Sequence, residues 1–320
     1  MYNNLHKYKY YFILLLKLVI VSAAIYYIFE KLTSNTNLTL QEFQQQLILL
    51  TSNNIWLLIA LLLFTDVNWF LEIFKWKSLA SQERKISFFE AYKQCFASLT
   101  ASIITPNRIG EYGAKALFFE KEKRKKIMVL NLVGNLFQLI STLFFGIIGL
   151  ACFFLNYNIK TPYISLKNPI YILLISVLFI SSFFVPTIKK QIVSTLNKTL
   201  NYLKQIPKNI HLKTITFSIA RYVIFSHQFY FILILLNTKV DYFTCMQLIF
   251  SMYLLASIIP SISIFDWAIK GSIALWLFSF VYVDSVTIFF TTTLMWILNF
   301  AIPTLIGSIF VLNFKVPVKK

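Results

Sequence analysis

Arg108, Glu111 and Lys115 stand in the stretch ASIITPNRIGEYGAK, residues 101–115, and Asp266 and Lys270 in ASIIPSISIFDWAIK, residues 256–270. In each copy an acid precedes a lysine by four positions, which on a helix puts both side chains on one face. Such a pair can lock itself as an ion pair, hold a cation ready for an anion, or carry a proton. Arg108 adds a guanidinium, whose planar fork matches a phosphate. Helix breakers accompany the charges: Pro106, Gly110 and Gly113 in the first copy, and Pro260 in the second, with Gly271 directly after that copy. Proline cannot continue a helix, and glycine permits tight turning and close helix approach. A helix restarting after such a break points free N–H groups at it, which favours an anionic group there. The expected chemistry is anion binding by Arg108, Lys115 and Lys270. Glu111 and Asp266 would hold those cations in place or carry a proton.

The elements that must position these residues are membrane elements. The chain has 320 residues, of which 58% are hydrophobic and 13% charged, with a mean hydropathy of +0.70. A soluble domain would carry about 25% charged residues. Apolar runs of about 20 residues match the thickness of a bilayer. Spans are expected at 10–30, 55–74, 127–155, 170–186, 216–236 and 286–312. Two more apolar regions, 88–119 and 243–281, are broken in the middle by the two quoted stretches.

The net charge of +18 would suggest nucleic acid in a soluble protein. Here it fits cytoplasmic loops facing anionic lipid, and no nucleic-acid partner is expected. Segments 1–9, 75–90, 120–126, 187–215 and 313–320 hold twenty Lys and Arg residues; 31–54, 156–169, 237–242 and 282–285 hold four. That bias places both termini in the cytoplasm, provided the two broken regions enter the membrane and return. The expected fold is an all-α integral membrane protein, one polytopic domain over 1–320 with six transmembrane helices and two re-entrant hairpins. Repeat one covers about 10–155 and repeat two about 170–312, with hairpin motifs 155 positions apart. Three crossings per half is an odd number, so the second half is expected inverted, a recurring design of secondary transporters.

Other polar residues carry weaker expectations. Asp66, Asn68 and Glu72 fall on roughly one side of the second span and are candidates for the same cavity. Arg221, toward the cytoplasmic end of the fifth span, is expected to snorkel. Cys95, Cys152 and Cys245, like His6, His211 and His227, are scattered without a CxxC or Cys/His cluster. No disulfide, metal site or other cofactor is expected. No nucleophile–base arrangement is visible, and a paired-carboxylate hydrolase would need Glu111 and Asp266 to face one substrate.

The motifs TPNRIGEYGAKAL, FKWKSLA and IPSISIFDWAIKGSIAL resemble the lysylphosphatidylglycerol synthase transmembrane-region family. This is the flippase-like domain also found in the multiple peptide resistance factor. The resemblance runs from about residue 50 to 312. It implies a polytopic bacterial inner-membrane protein that moves an aminoacylated phospholipid between leaflets. Pro106, Arg108, Gly110, Glu111 and Gly113 match the family's first motif, with Lys115 where a basic residue is usual. Pro260, Asp266, Lys270 and Gly271 match the second. Ala268 stands where glycine is common, Asp266 where glutamate is, and Lys270 where arginine is, which bears on substrate more than on fold. The family's soluble aminoacyltransferase domain is absent from the sequence. The expected function is flippase-like binding or translocation of a membrane lipid with an anionic or polyprenyl-linked headgroup. The alternatives are an intramembrane enzyme acting on a headgroup and a non-catalytic membrane partner of a separate enzyme. A homo-oligomer is compatible with all three.

Overall fold

The computed structural model describes residues 40–53, 55–103, 105, 108–157, 199, 201–259 and 263–315, together with Leu15 and Ser22. Among these residues the chain is helical, with no strand. The elements are α1 (Leu40–Asn53), α2 (Ile55–Ala80), α3 (Phe88–Ala101), α4 (Ile109–Leu117) and α5 (Arg124–Asn156). After them come α6 (Lys208–Leu235), α7 (Tyr242–Ile258), α8 (Ser263–Ser279), α9 (Ser285–Trp296), a π-helical segment (Ile297–Ala301) and α10 (Ile302–Leu312).

Four helical stretches are long and apolar enough to cross a membrane: Trp56–Ala80, Arg124–Asn156, Lys208–Leu235 and Ser285–Leu312. They coincide with the spans read at 55–74, 127–155, 216–236 and 286–312. Apart from Leu15 and Ser22, the spans read at 10–30 and 170–186 lie outside the described residues. Exposed apolar side chains such as Leu62, Leu63 and Phe70 on α2 and Phe144, Ile147 and Ile148 on α5 suit contact with lipid tails.

The two broken regions form pairs of shorter helices, α3 with α4 and α7 with α8, and each pair packs together. At 1.5 Å per residue, the longest of the four, at 17 residues, extends about 25 Å, short of the roughly 30 Å hydrocarbon core. Ser87 starts α3 with a capping box, its hydroxyl accepting from the Glu90 N–H while the Glu90 carboxylate accepts from the Ser87 N–H. Asp241 caps α7 through the Thr244 N–H, and those bonds hold its carboxyl below the usual aspartate range.

The packing partners set the interior. α2 lies along α6, α3 along α10, and α7 along α5. Glycine makes the last two contacts close. A Cβ at Gly307 on α10 would overlap the Phe96 carbonyl and the Thr100 side chain of α3. A Cβ at Gly149 on α5 would lie 2.6 Å from Phe250 Cβ, and one at Gly146 would overlap Leu254, both on α7. Among the described residues the core forms two large apolar clusters, one around Trp69, Trp76 and Phe96, the other around Phe229, Phe278 and Phe290, and a small third at Ala97 and Val311.

Candidate functional site

α2 brings Asn68, Glu72 and Lys75 to one face at helical spacing, and all three are buried. Glu72 Oε2 lies 2.6 Å from Lys75 Nζ and 2.6 Å from Arg221 Nη1, so one carboxylate answers two cations. Arg221, from α6, also donates through Nε to Asn68 Oδ1 at 3.1 Å. Asn68 donates to Asn299 Oδ1 at 2.8 Å, Asn299 donates to Gln228 Oε1 at 2.9 Å, and Gln228 donates to Thr65 Oγ1 at 2.7 Å. A continuous polar line thus runs between α2, α6 and the π-helical segment that carries Asn299. Satisfied polar groups are the only kind an apolar interior tolerates cheaply.

Each sequence-predicted acid–lysine pair forms. Lys115 Nζ lies 2.7 Å from Glu111 Oε1, and Lys270 Nζ lies 2.7 Å from Asp266 Oδ2. The two pairs differ in setting. Lys115 is only 1% exposed, also donates to Asn131 Oδ1 at 2.8 Å, and sits 4.4 Å from the Trp76 ring centre. Most of its bonding capacity is spent inside the protein, so it acts as a lock between α4, α5 and α2. The Asp266–Lys270 pair is about one-third open, its side chains 29% and 30% exposed.

Two cavities separate these groups. One, of about 310 Å³, is lined by Asn68, Arg108, Arg221, Asp266, Lys270 and Asn299 together with Tyr253, Trp267 and Trp296. The other, of about 400 Å³, is lined by Glu72, Glu111, Tyr112, Lys115 and Asn135 among others. Trp69, Arg108, Gln138, Thr142, Arg221 and Ser257 line both, so the cavities meet at the two arginines. Arg108 lies over the Phe300 ring at 5.2 Å, and its guanidinium has no hydrogen bond or ion pair among the described residues. Its backbone is left-handed, with φ 56°, a costly conformation for a residue with a Cβ and one that clusters at binding sites.

Several sequence expectations need correction. Asp66 is exposed and lines neither cavity. At 100° per residue it is turned roughly 160° from Asn68 and 120° from Glu72, which share a face with each other. Arg221 does not snorkel; Glu72 and Asn68 hold it inside. Lys75, counted with a cytoplasmic loop, is buried in α2. The restart of α4 is not an open anion site at Gly110 and Glu111: Thr105 Oγ1 accepts from the Gly110 N–H, and the Arg108 carbonyl from the Glu111 N–H. Gly110 does mark close approach, since a Cβ there would meet Thr105 at 2.9 Å. Gly113 lies within α4 with nothing within 4 Å of a would-be Cβ, and Gly271 lies within α8, against Phe289. Pro106 and Pro260 lie outside the described residues.

Sequence reading missed Lys75 and Asn299 and misplaced Arg221. A lone arginine and a lone asparagine within long apolar runs were the available signals. Glu111 and Asp266 line different cavities. Among the described residues, no group of three His, Cys, Asp or Glu side chains is placed to hold a metal ion.

No protein-family model matches the chain, and no curated protein or solved structure aligns with it significantly. The likeness to the lysylphosphatidylglycerol synthase transmembrane region therefore rests on the quoted motifs alone.

Proposed function

We propose that this protein is a flippase-like membrane protein that takes the phosphate-bearing headgroup of a lipid into the two adjoining cavities and passes it between leaflets. The observation that carries this reading is the pair Arg108 and Arg221 at the junction of the cavities, with Arg108 making no hydrogen bond or close ion pair among the described residues and having in its field the Asp266 carboxylate, which is already bonded to Lys270. A cation in a low-dielectric interior is costly without a partner, and an anionic ligand supplies one. A headgroup moving from one cavity to the other would stay within reach of both arginines. The acyl chains would remain among the lipid-facing apolar side chains. The motif resemblance points the same way.

The inverted repeat and the six-span topology belong to the same proposal. What supports them is an exchange of partners: the first arm of each hairpin packs on the last long helix of the other half, α3 on α10 and α7 on α5. The contact positions correspond. Phe96 and Phe250 lie 154 positions apart, as do Thr100 and Leu254, while Gly149 and Gly307 lie 158 apart. The cytoplasmic placement of both termini rests on the loop charges, and the inner-membrane location on the motif resemblance.

The test is transport in vesicles. Purified protein is reconstituted with a fluorescent phosphate-bearing lipid, and exposure of the label is followed with an impermeant quencher. Arg108→Gln and Lys270→Gln should each slow transfer roughly tenfold or more, as expected when a charge-assisted contact to the headgroup is lost, with melting behaviour retained. Undiminished transport in both variants would overturn the site.

A further inference from the structure

The charges around the two cavities do not balance. Arg108, Arg221, Lys115 and Lys270 line them, and Lys75 is paired with Glu72; against these five cations stand, among the described residues, only Glu72, Glu111 and Asp266. Lys115 and Lys270 each hold a carboxylate at 2.7 Å, Glu111 and Asp266 respectively. The surplus of two positive charges therefore falls where cations share a carboxylate: Lys75 and Arg221 share Glu72, and Arg108, with no close ion pair of its own, shares the field of Asp266 with Lys270. Arg108 and Arg221 sit where the cavities meet. A second unspent donor lies beside them: Trp69, 8% exposed and lining both cavities, has an indole N–H with no described acceptor.

From this imbalance we propose that the site takes a phosphomonoester or pyrophosphate group, carrying about two negative charges, in preference to a singly charged phosphodiester. The inference rests on the headgroup reading above and narrows it. A phosphodiester offers two free oxygens and one charge, which would leave the interior one cation in excess. A phosphomonoester carries roughly −1.5 to −2 near pH 7 and three acceptor oxygens. Two guanidiniums that approach from different helices, each presenting a fork of N–H donors, suit three oxygens better than two.

The measurement is binding to the full-length protein in detergent, read by the fluorescence of the tryptophans that line the cavities. The probes are short-chain phosphatidic acid as the phosphomonoester, short-chain phosphatidylglycerol as the phosphodiester, and inorganic phosphate as the free anion. At about pH 8 phosphatidic acid should bind roughly tenfold or more tightly than phosphatidylglycerol, the effect of one further close charge pair. The preference should shrink at about pH 5, below the second phosphate pKa of about 6, where the monoester carries one charge. Arg108→Gln, which removes one surplus cation, should abolish the preference at about pH 8. Lys270→Gln, on the more open pair, should do the same, because Asp266 is then left to neutralise Arg108, and it guards against a folding defect at Arg108.

Competition by inorganic phosphate at concentrations near those of phosphatidic acid would support the dianion and assign it to a soluble source. Failure to compete, with phosphatidic acid still preferred, would support the dianion and assign it to a lipid. Equal affinity for the two lipids would overturn the dianion proposal while leaving a headgroup site in place. No binding of any of the three would overturn the headgroup reading itself.

Discussion

Glu72 is the residue on which the buried charges depend. Removing one partner of a buried ion pair typically costs about 3–5 kcal/mol, because the other charge is left uncompensated. Glu72→Gln leaves two cations so exposed, Lys75 and Arg221, and should lower stability by about that amount in thermal unfolding in detergent. Lys75→Met added to Glu72→Gln should recover a large part of the loss, since an apolar side chain of similar length removes one stranded charge. A double variant no better than the single would show that Glu72 does not act through Lys75. At this scale the sequence was partly legible. The Glu111–Lys115 and Asp266–Lys270 pairs follow from a spacing of four, a purely local rule. The Arg221–Glu72 bond joins positions 149 apart, and no local rule reports it.

Among the elements, the contact between α3 and α10 has the least room. Gly307→Val would press a side chain against the Phe96 carbonyl, which cannot rotate away, and disturb the bond from Thr100 Oγ1 to the Thr304 carbonyl. Overpacking of this kind costs about 1–3 kcal/mol. Gly113→Ala, in open space within α4, should instead stabilise by up to about 1 kcal/mol through helix propensity. Denaturation of the two variants side by side checks both signs. Sequence patterning located the four long helices because apolar length is a strong signal. It also located both interruptions, where proline and glycine gather with charge. It misjudged Gly113 because a glycine inside a helix and a glycine at a turn look alike until the break is placed.

For the whole molecule, the proposed inverted repeat makes a prediction about which side of the bilayer each hairpin faces. Single-cysteine variants at Asn107 and Ser263, in a background lacking Cys95, Cys152 and Cys245, can be labelled from either side. The inverted arrangement predicts labelling of Asn107 only from the cytoplasm and of Ser263 only from outside; labelling of both from one side would rule it out. The two proposed halves differ in the build of their last long helix. The last long helix of the second half contains the π-helical turn Ile297–Ala301, which has no counterpart in the unbroken α5. A π turn is one surplus residue absorbed into a helix, and the flanks on either side keep the phase they would have had without it. A chain one residue shorter at that point would still set Trp296 and Gly307 against their neighbours. What it would lose is the swollen backbone that carries Asn299 toward Asn68 and Gln228. In this one turn, packing and polar connection are written by different residues.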